Sequence, residues 1–136
     1  MACVLDSMNI RRIQPSELAA TFELLASNGW RERLGSVDRF ARLVDASQVA
    51  DVAVAEDHVV GFVRAITDGL SNGYLSMLVV APGQRRKGIG RALVAHALAA
   101  NPDGTWVLRV GRTGAADFFD KVGFRHSAVA MERPRV

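Results

Sequence analysis

The sequence predicts a mixed α+β fold, in which a central sheet carries helices on both faces. Three observations predict it. Apolar residues keep helical spacing through the first 45 positions, β-branched runs broken by turn clusters fill 49–80, and helix and strand patterns alternate from 88 onwards. The 136 residues, 49% hydrophobic and 23% charged, suit one globular domain spanning 1–136, with residues 1–8 as a loose N-terminal tail.

Residues 9–13 form a short strand candidate. Ser16 then reads as an N-cap with Glu17 in the first turn, and Leu18, Phe22, Leu25 and Ala26 keep helical spacing until Asn28-Gly29 ends the run. A polar loop carrying Trp30 leads to Ser36, a second N-cap, whose helix sets Val37, Phe40, Ala41 and Val44 on one face. Runs 49–55 and 59–66 are β-branched and joined through Glu56-Asp57-His58 as a hairpin. Asp68 to Gly73 is a second turn cluster, and 74–80 is the next strand, stopped by Ala81-Pro82-Gly83. A helix follows over about 88–100, then a strand over 105–110, a helix over 115–122 and a last strand over 124–131.

Composition excludes several classes. No stretch approaches the roughly 20 apolar residues of a membrane span. The first seven residues carry no basic region followed by an apolar run, so no signal peptide is read and the cytoplasm is the expected compartment. One cysteine, Cys3, allows neither an internal disulfide nor a cysteine-based metal site, and the three histidines stand isolated, without metal-ligand spacing. Seventeen basic residues against fourteen acidic ones give a net charge of +3, and the basic residues are scattered. The dense run is Arg85-Arg86-Lys87, with Arg91 one turn later. This favours one local anion site over a nucleic-acid surface.

That run lies where an apolar strand enters a glycine-containing turn that opens a helix. Backbone N–H groups at a helix start lack intrahelical partners, and the helix dipole adds positive charge there. Gly88 and Gly90 lack Cβ atoms, so a pyrophosphate can approach the backbone. A P-loop requires Gly-Lys-Ser/Thr, but Lys87 precedes Gly88 and no Ser or Thr follows. A dinucleotide fingerprint requires glycine where Leu93 stands. Both fail.

Arg85-Arg86-Lys87-Gly88-Ile89-Gly90, directly after Leu78-Val79-Val80, resembles the signature of the GCN5-related N-acetyltransferase (GNAT) superfamily, Arg/Gln-x-x-Gly-x-Gly/Ala. Phe118-Phe119-Asp120-Lys121-Val122-Gly123-Phe124 is similar to the family's closing "FYEKLGF" segment. The resemblance extends over essentially the whole chain. It implies a mostly antiparallel sheet of about six or seven strands, splayed between strands four and five, with about four helices on both faces. It also implies acetyl-CoA as cosubstrate, with no metal. Its pantetheine arm would lie along the backbone of Leu78, Val79 and Val80, and its pyrophosphate on the N–H groups from Arg86 to Arg91. Arg85 and Phe119 complete the implied cofactor contacts. The acceptor would be an amine on a small molecule, peptide or protein, acetylated directly in a ternary complex. No nucleic-acid or membrane partner is expected, and a homodimer stays open.

The family's usual acid is a tyrosine at the second aromatic of the "FY" pair, where this chain has Phe119, and the asparagine that often precedes that helix is replaced around Arg112 and Thr113. Strand alternation would put Tyr74, Ser76 and Leu78 on one face, which makes Tyr74 and Ser76 the candidate catalytic residues, as a proton relay. Glu56, Asp57 and His58 read as a solvated hairpin tip, Asp68 as a turn residue, His96 as a surface residue and His126 as a cleft-lining candidate. Trp30 reads as either an acceptor-site lid or a core anchor. The vacancy at Phe119 also supports an alternative, a non-catalytic acyl-CoA-binding or regulatory module on the same fold. A small basic nucleic-acid-binding protein is the remaining alternative.

Overall fold

A computed structural model describes residues 8–136 of the chain. Cys3 and the first seven residues of the expected tail lie outside the described residues, whereas Met8 packs against the core. Five strands form one sheet in chain order: β1 (Asn9–Arg12), β2 (Val49–Ala55), β3 (His58–Thr67), β4 (Asn72–Val80) and β5 (Thr105–Val107). The first four pair antiparallel, and β5 joins β4 in parallel. The hairpin between β2 and β3 turns at Glu56 and Asp57, both in the left-handed region at φ 51° and 63°.

Helices cover both faces. On one, α1 (Leu18–Leu25) and α3 (Val37–Asp45) set Phe22, Leu25, Phe40 and Val44 against Val52, Phe62, Met77 and Val79. Phe40 meets Phe62 edge-on with ring centroids 5.7 Å apart. On the other face, α4 (Ile89–Leu98) and α5 (Ala115–Lys121) bring Ile89, Leu93, Val94 and Phe119 onto Val63, Ala65 and Leu75. Gly61 makes that packing close, because a Cβ there would stand 2.8 Å from the Leu93 side chain.

Ser36 caps α3 as expected, its hydroxyl accepting from the Arg39 N–H at 3.1 Å. Ser16 does not cap: the first turn is a 3-10 helix, Pro15–Glu17, and the Glu17 carboxylate accepts from the Gln14 N–H at 2.9 Å. The loop expected around Trp30 contains a fifth helix, α2 (Arg31–Leu34), with Leu34 fully buried. Among the described residues the sheet has five strands rather than six or seven. Residues 124–131 form no strand, because the Ser127 hydroxyl accepts from the N–H groups of Val129 and Ala130 at 3.1 and 3.0 Å and closes a local turn instead. β5 is three residues rather than six, so little ladder is available for another strand.

Candidate active site

Two irregularities of β4 build the site. The first is its exit from β5: pairing ends at Tyr74↔Val107, while β4 runs on to Val80. The Ala81 N–H donates to the Val60 carbonyl at 2.8 Å, so strand alternation turns Val79 and Met77 towards β3 and the backbone groups of Leu78 and Val80 towards the opposite edge. No strand among the described residues meets them there. This is the expected splay, and it leaves the backbone groups of Leu78 and the N–H of Val80 facing an edge that could take an extended amide-bearing chain, while the Val80 carbonyl accepts from Arg85.

The second irregularity is a bulge. Leu75 pairs with Ala65 and Met77 with Arg64, so Ser76 has no partner on β3. The bulge reverses the alternation. Tyr74 stays on the Arg64 face, and Ser76 lines a cavity with Arg64 and Met77. Leu78 packs into the α4 side instead. The expectation that Tyr74, Ser76 and Leu78 share a face is therefore corrected at Leu78.

The turn between β4 and α4 gathers basic side chains at a helix start. Arg86 and Gly88 adopt left-handed φ values of 65° and 84°, and Gly88 stands at the N-cap position without a side-chain cap. The first bond into α4 runs from the Ala92 N–H to the Gly88 carbonyl, so the N–H groups of Ile89, Gly90 and Arg91 have no intrahelical acceptor. The Ile89 side chain is buried and holds the helix on the sheet. Arg85, Arg86, Lys87 and Arg91 are exposed. Lys87 donates to Gln84 Oε1 at 3.3 Å, and Arg91 to the Lys121 carbonyl at 3.3 Å. Phe118 covers Gly90, where a Cβ would lie 3.3 Å from its ring, whereas Phe119 is a core residue touching Phe118 and Phe124 edge-on.

The segment Asn28-Gly29-Trp30 reaches across the mouth of the gap. Arg85 donates to the Val80 carbonyl at 3.2 Å and to Asn28 Oδ1 at 2.8 Å. From the other wall, Arg112 donates to the Asn28 carbonyl at 2.6 Å and lies 4.1 Å over the Trp30 ring. Trp30 is thus held at the cleft and also packs against the core. The sequence marked Asn28-Gly29 as a helix end, with no sign that it would meet positions 85 and 112.

The other expected residues fall elsewhere. Asp68 caps a turn, accepting from the N–H groups of Leu70, Ser71 and Asn72 and from the Ser71 hydroxyl, which holds its carboxyl well below the usual range. Glu56, Asp57 and His58 are exposed at the hairpin tip. His96 Nε2 pairs with Asp51 Oδ2 at 2.8 Å. His126 lines a cavity of about 300 Å³ between β5, α5 and the C-terminal segment, whose described lining includes Val107, the β5 partner of Tyr74, but neither Tyr74 nor Ser76. Among the described residues, no group of three or more His, Cys, Asp or Glu could hold a metal ion, and no helix is long and apolar enough to cross a membrane.

The residue missed by the sequence reading is Arg64. It interrupts the apolar run of β3, a visible signal, and it is only 8% exposed. Burial pushes its guanidinium below the ordinary value, and the charge of Arg135 adds to this against the opposing influence of Tyr74.

A family model described as an acetyltransferase (GNAT) domain matches residues 48–126, which include both β4 irregularities and the turn into α4. No protein of curated function matches the chain. Among solved structures, a protein assigned to the GNAT family from Xanthomonas campestris pv. campestris has a TM-score of 0.79 at 19% identity, covering 94% of this chain and 93% of that one. Ard1 from Thermoplasma volcanium gives 0.76 at 19% identity, with 90% and 85% covered. A GNAT-family acetyltransferase from Streptococcus pneumoniae TIGR4 gives 0.68 at 22% identity, with 93% and 98% covered. At these identities the likeness is one of fold.

Proposed function

Because the chain belongs to the acetyltransferase (GNAT) domain family, we propose that it transfers an acetyl group from acetyl-CoA to a primary amine by direct attack. The observation that carries this reading is the joint presence of the β4 edge at Leu78 and Val80, which pairs with no strand among the described residues, and the N–H groups of Ile89, Gly90 and Arg91, which have no intrahelical acceptor. An extended pantetheine arm fits the first, and a pyrophosphate the second. Val79 contributes by being buried, which fixes the strand, and Arg85, Arg86, Lys87 and Arg91 supply positive charge. Phe119 acts through the core that supports Phe118 over Gly90.

An alkyl ammonium with a pKa of about 10 must first lose a proton. The neutral nitrogen then attacks the thioester carbonyl carbon, the C–N bond forms and the C–S bond breaks. A second proton passes from nitrogen to the leaving thiolate, whose ordinary pKa is about 8.5. The products are an amide, free thiol and one released proton. Holding amine and thioester together in one cleft supplies much of the acceleration. Tyr74 and Ser76 place hydroxyls on the face the amine would approach and serve as the proposed relay.

The test is thiol release from acetyl-CoA across a panel of amines, in the parent and in Tyr74→Phe. Turnover in the parent with at least tenfold lower kcat in Tyr74→Phe, at unchanged acetyl-CoA affinity, is expected. Equal kcat would remove Tyr74 from the relay. Tight acetyl-CoA binding without turnover would favour the non-catalytic module, which the buried Phe119 phenyl, lacking a hydroxyl, would suit.

A further inference from the structure

Beside Ser76, on the α1/α3 face of the sheet, lies a cavity of about 40 Å³ into which Arg33, Arg39, Arg64 and Arg135 converge. Among the described residues, no carboxylate lines it and none of the four arginines makes an ion pair. Exposed arginines facing water would be unremarkable. Arg64 is not exposed: nine-tenths of it is buried, in a strand that otherwise carries Val60, Phe62, Val63 and Ala65 into the core. Taking a guanidinium out of water is costly unless charge and hydrogen bonds compensate.

The Arg64 side chain is held in a fixed direction. Its Nε donates to Ser47 Oγ at 2.7 Å, and that hydroxyl in turn donates to the Leu43 carbonyl at 2.6 Å. The two terminal nitrogens have no partner among the described residues, and Arg64 lines the cavity. Arg39 is also held, donating to the Arg33 carbonyl at 2.6 Å. Two guanidiniums are thus preorganised around a space to which the described residues bring no counter-charge. Arginine presents a planar fork of donors that matches a carboxylate.

We propose that the amine acceptor carries a carboxylate, bound by Arg64 and Arg39 with Arg33 and Arg135 at the rim, so that the substrate class is amino acids or amines bearing a nearby carboxyl group. This rests on the acetyl-transfer reading above. The cavity's 40 Å³ holds about three water-sized groups, the size of a carboxylate. Its position excludes a role for the cavity in holding the cofactor's phosphates, because α4 and its anion turn pack on the opposite face of the sheet. Ser76 forms part of the cavity wall at the bulge, next to the point where β4 leaves β5. A carboxylate seated there leaves its amine beside the proposed relay and the mouth of the gap.

The experiment compares matched acceptors by thiol release from acetyl-CoA. Glycine, L-phenylalanine, L-methionine and L-lysine are each set against their carboxamides, with phosphoethanolamine as the phosphate arm. In the parent, kcat/KM for at least one amino acid should exceed that of its amide by tenfold or more, the worth of a charge-assisted pair. Phosphoethanolamine should fall below that amino acid. In Arg64→Met the ratio should collapse towards unity while acetyl-CoA affinity stays within twofold. Its melting temperature should hold or rise, since an apolar side chain replaces an uncompensated buried charge. Arg135→Gln, on an exposed segment, should lower the same ratio without touching the core.

Ratios near unity for every pair in the parent, a preference for phosphoethanolamine, or marked destabilisation of Arg64→Met would each overturn the proposal. In those cases acetyl-CoA would still bind and the acetyl-transfer reading would stand. Failure of the parent to bind acetyl-CoA would remove that reading, and this inference with it.

Discussion

Residues with several partners decide the local structure, and Asp68 and Glu17 are the clearest cases. Asp68 collects three N–H groups and one hydroxyl at the turn before β4, and Glu17 holds Arg11 through two 2.8 Å bonds while capping the first turn. Both carboxyls are lowered, Asp68 mainly by the Ser71 hydroxyl and backbone N–H groups and Glu17 mainly by Arg11. A depressed folded-state pKa contributes stability above the unfolded value of about 4 and loses it as pH falls through the folded value. The urea midpoint should therefore fall progressively below about pH 4, and the double variant Asp68→Asn, Glu17→Gln should flatten that decline. An unchanged acid profile in the double variant would contradict these assignments. At this scale the sequence was informative where partners are neighbours: Asp68 as a turn residue and Ser36 as a cap were both readable. Arg64 and Asn28 were not, because their partners lie 17 to 84 positions away.

Among the elements, most were legible from periodicity, and the exceptions share a cause. The π-type turn Ala26–Trp30, the bulge at Ser76 and the turn at Ser127 are matters of register and local hydrogen bonding rather than of apolar spacing. The bulge matters most, since it alone separates Leu78 from the face of Tyr74. α3 provides the element-scale test. It carries Arg39 to the cavity on one side and Phe40 and Val44 into the core on the other, and its start depends on the Ser36 hydroxyl. Ser36→Ala should cost about 1 kcal/mol in urea unfolding, whereas Ser36→Asp should retain most of the stability. A Ser36→Ala chain as stable as the parent would mean that packing alone fixes the helix.

For the whole molecule, the sheet divides the proposed chemistry between its faces. α4 and the anion turn occupy one side, the arginine cavity the other, and the gap where β4 leaves β5 opens between them. The proposed cofactor side was legible in the sequence because residues 78–91 are contiguous and their order reads directly as strand, turn and helix. The proposed acceptor side was not, because positions 33, 39, 64, 76 and 135 meet only after the sheet and helices have assembled. The central claim is that the turn and the free strand edge bind acetyl-CoA. It is tested most directly by thermal unfolding with and without acetyl-CoA, in the parent and in Gly90→Glu. At a hundredfold excess over Kd the ligand should stabilise the parent by about 2.7 kcal/mol, roughly a 10 °C rise. Gly90→Glu places bulk and negative charge at the helix start, displacing Phe118 by a few tenths of an ångström, and should unfold near the parent's temperature with no ligand shift. An unshifted parent, or an equal shift in Gly90→Glu, would contradict the claim.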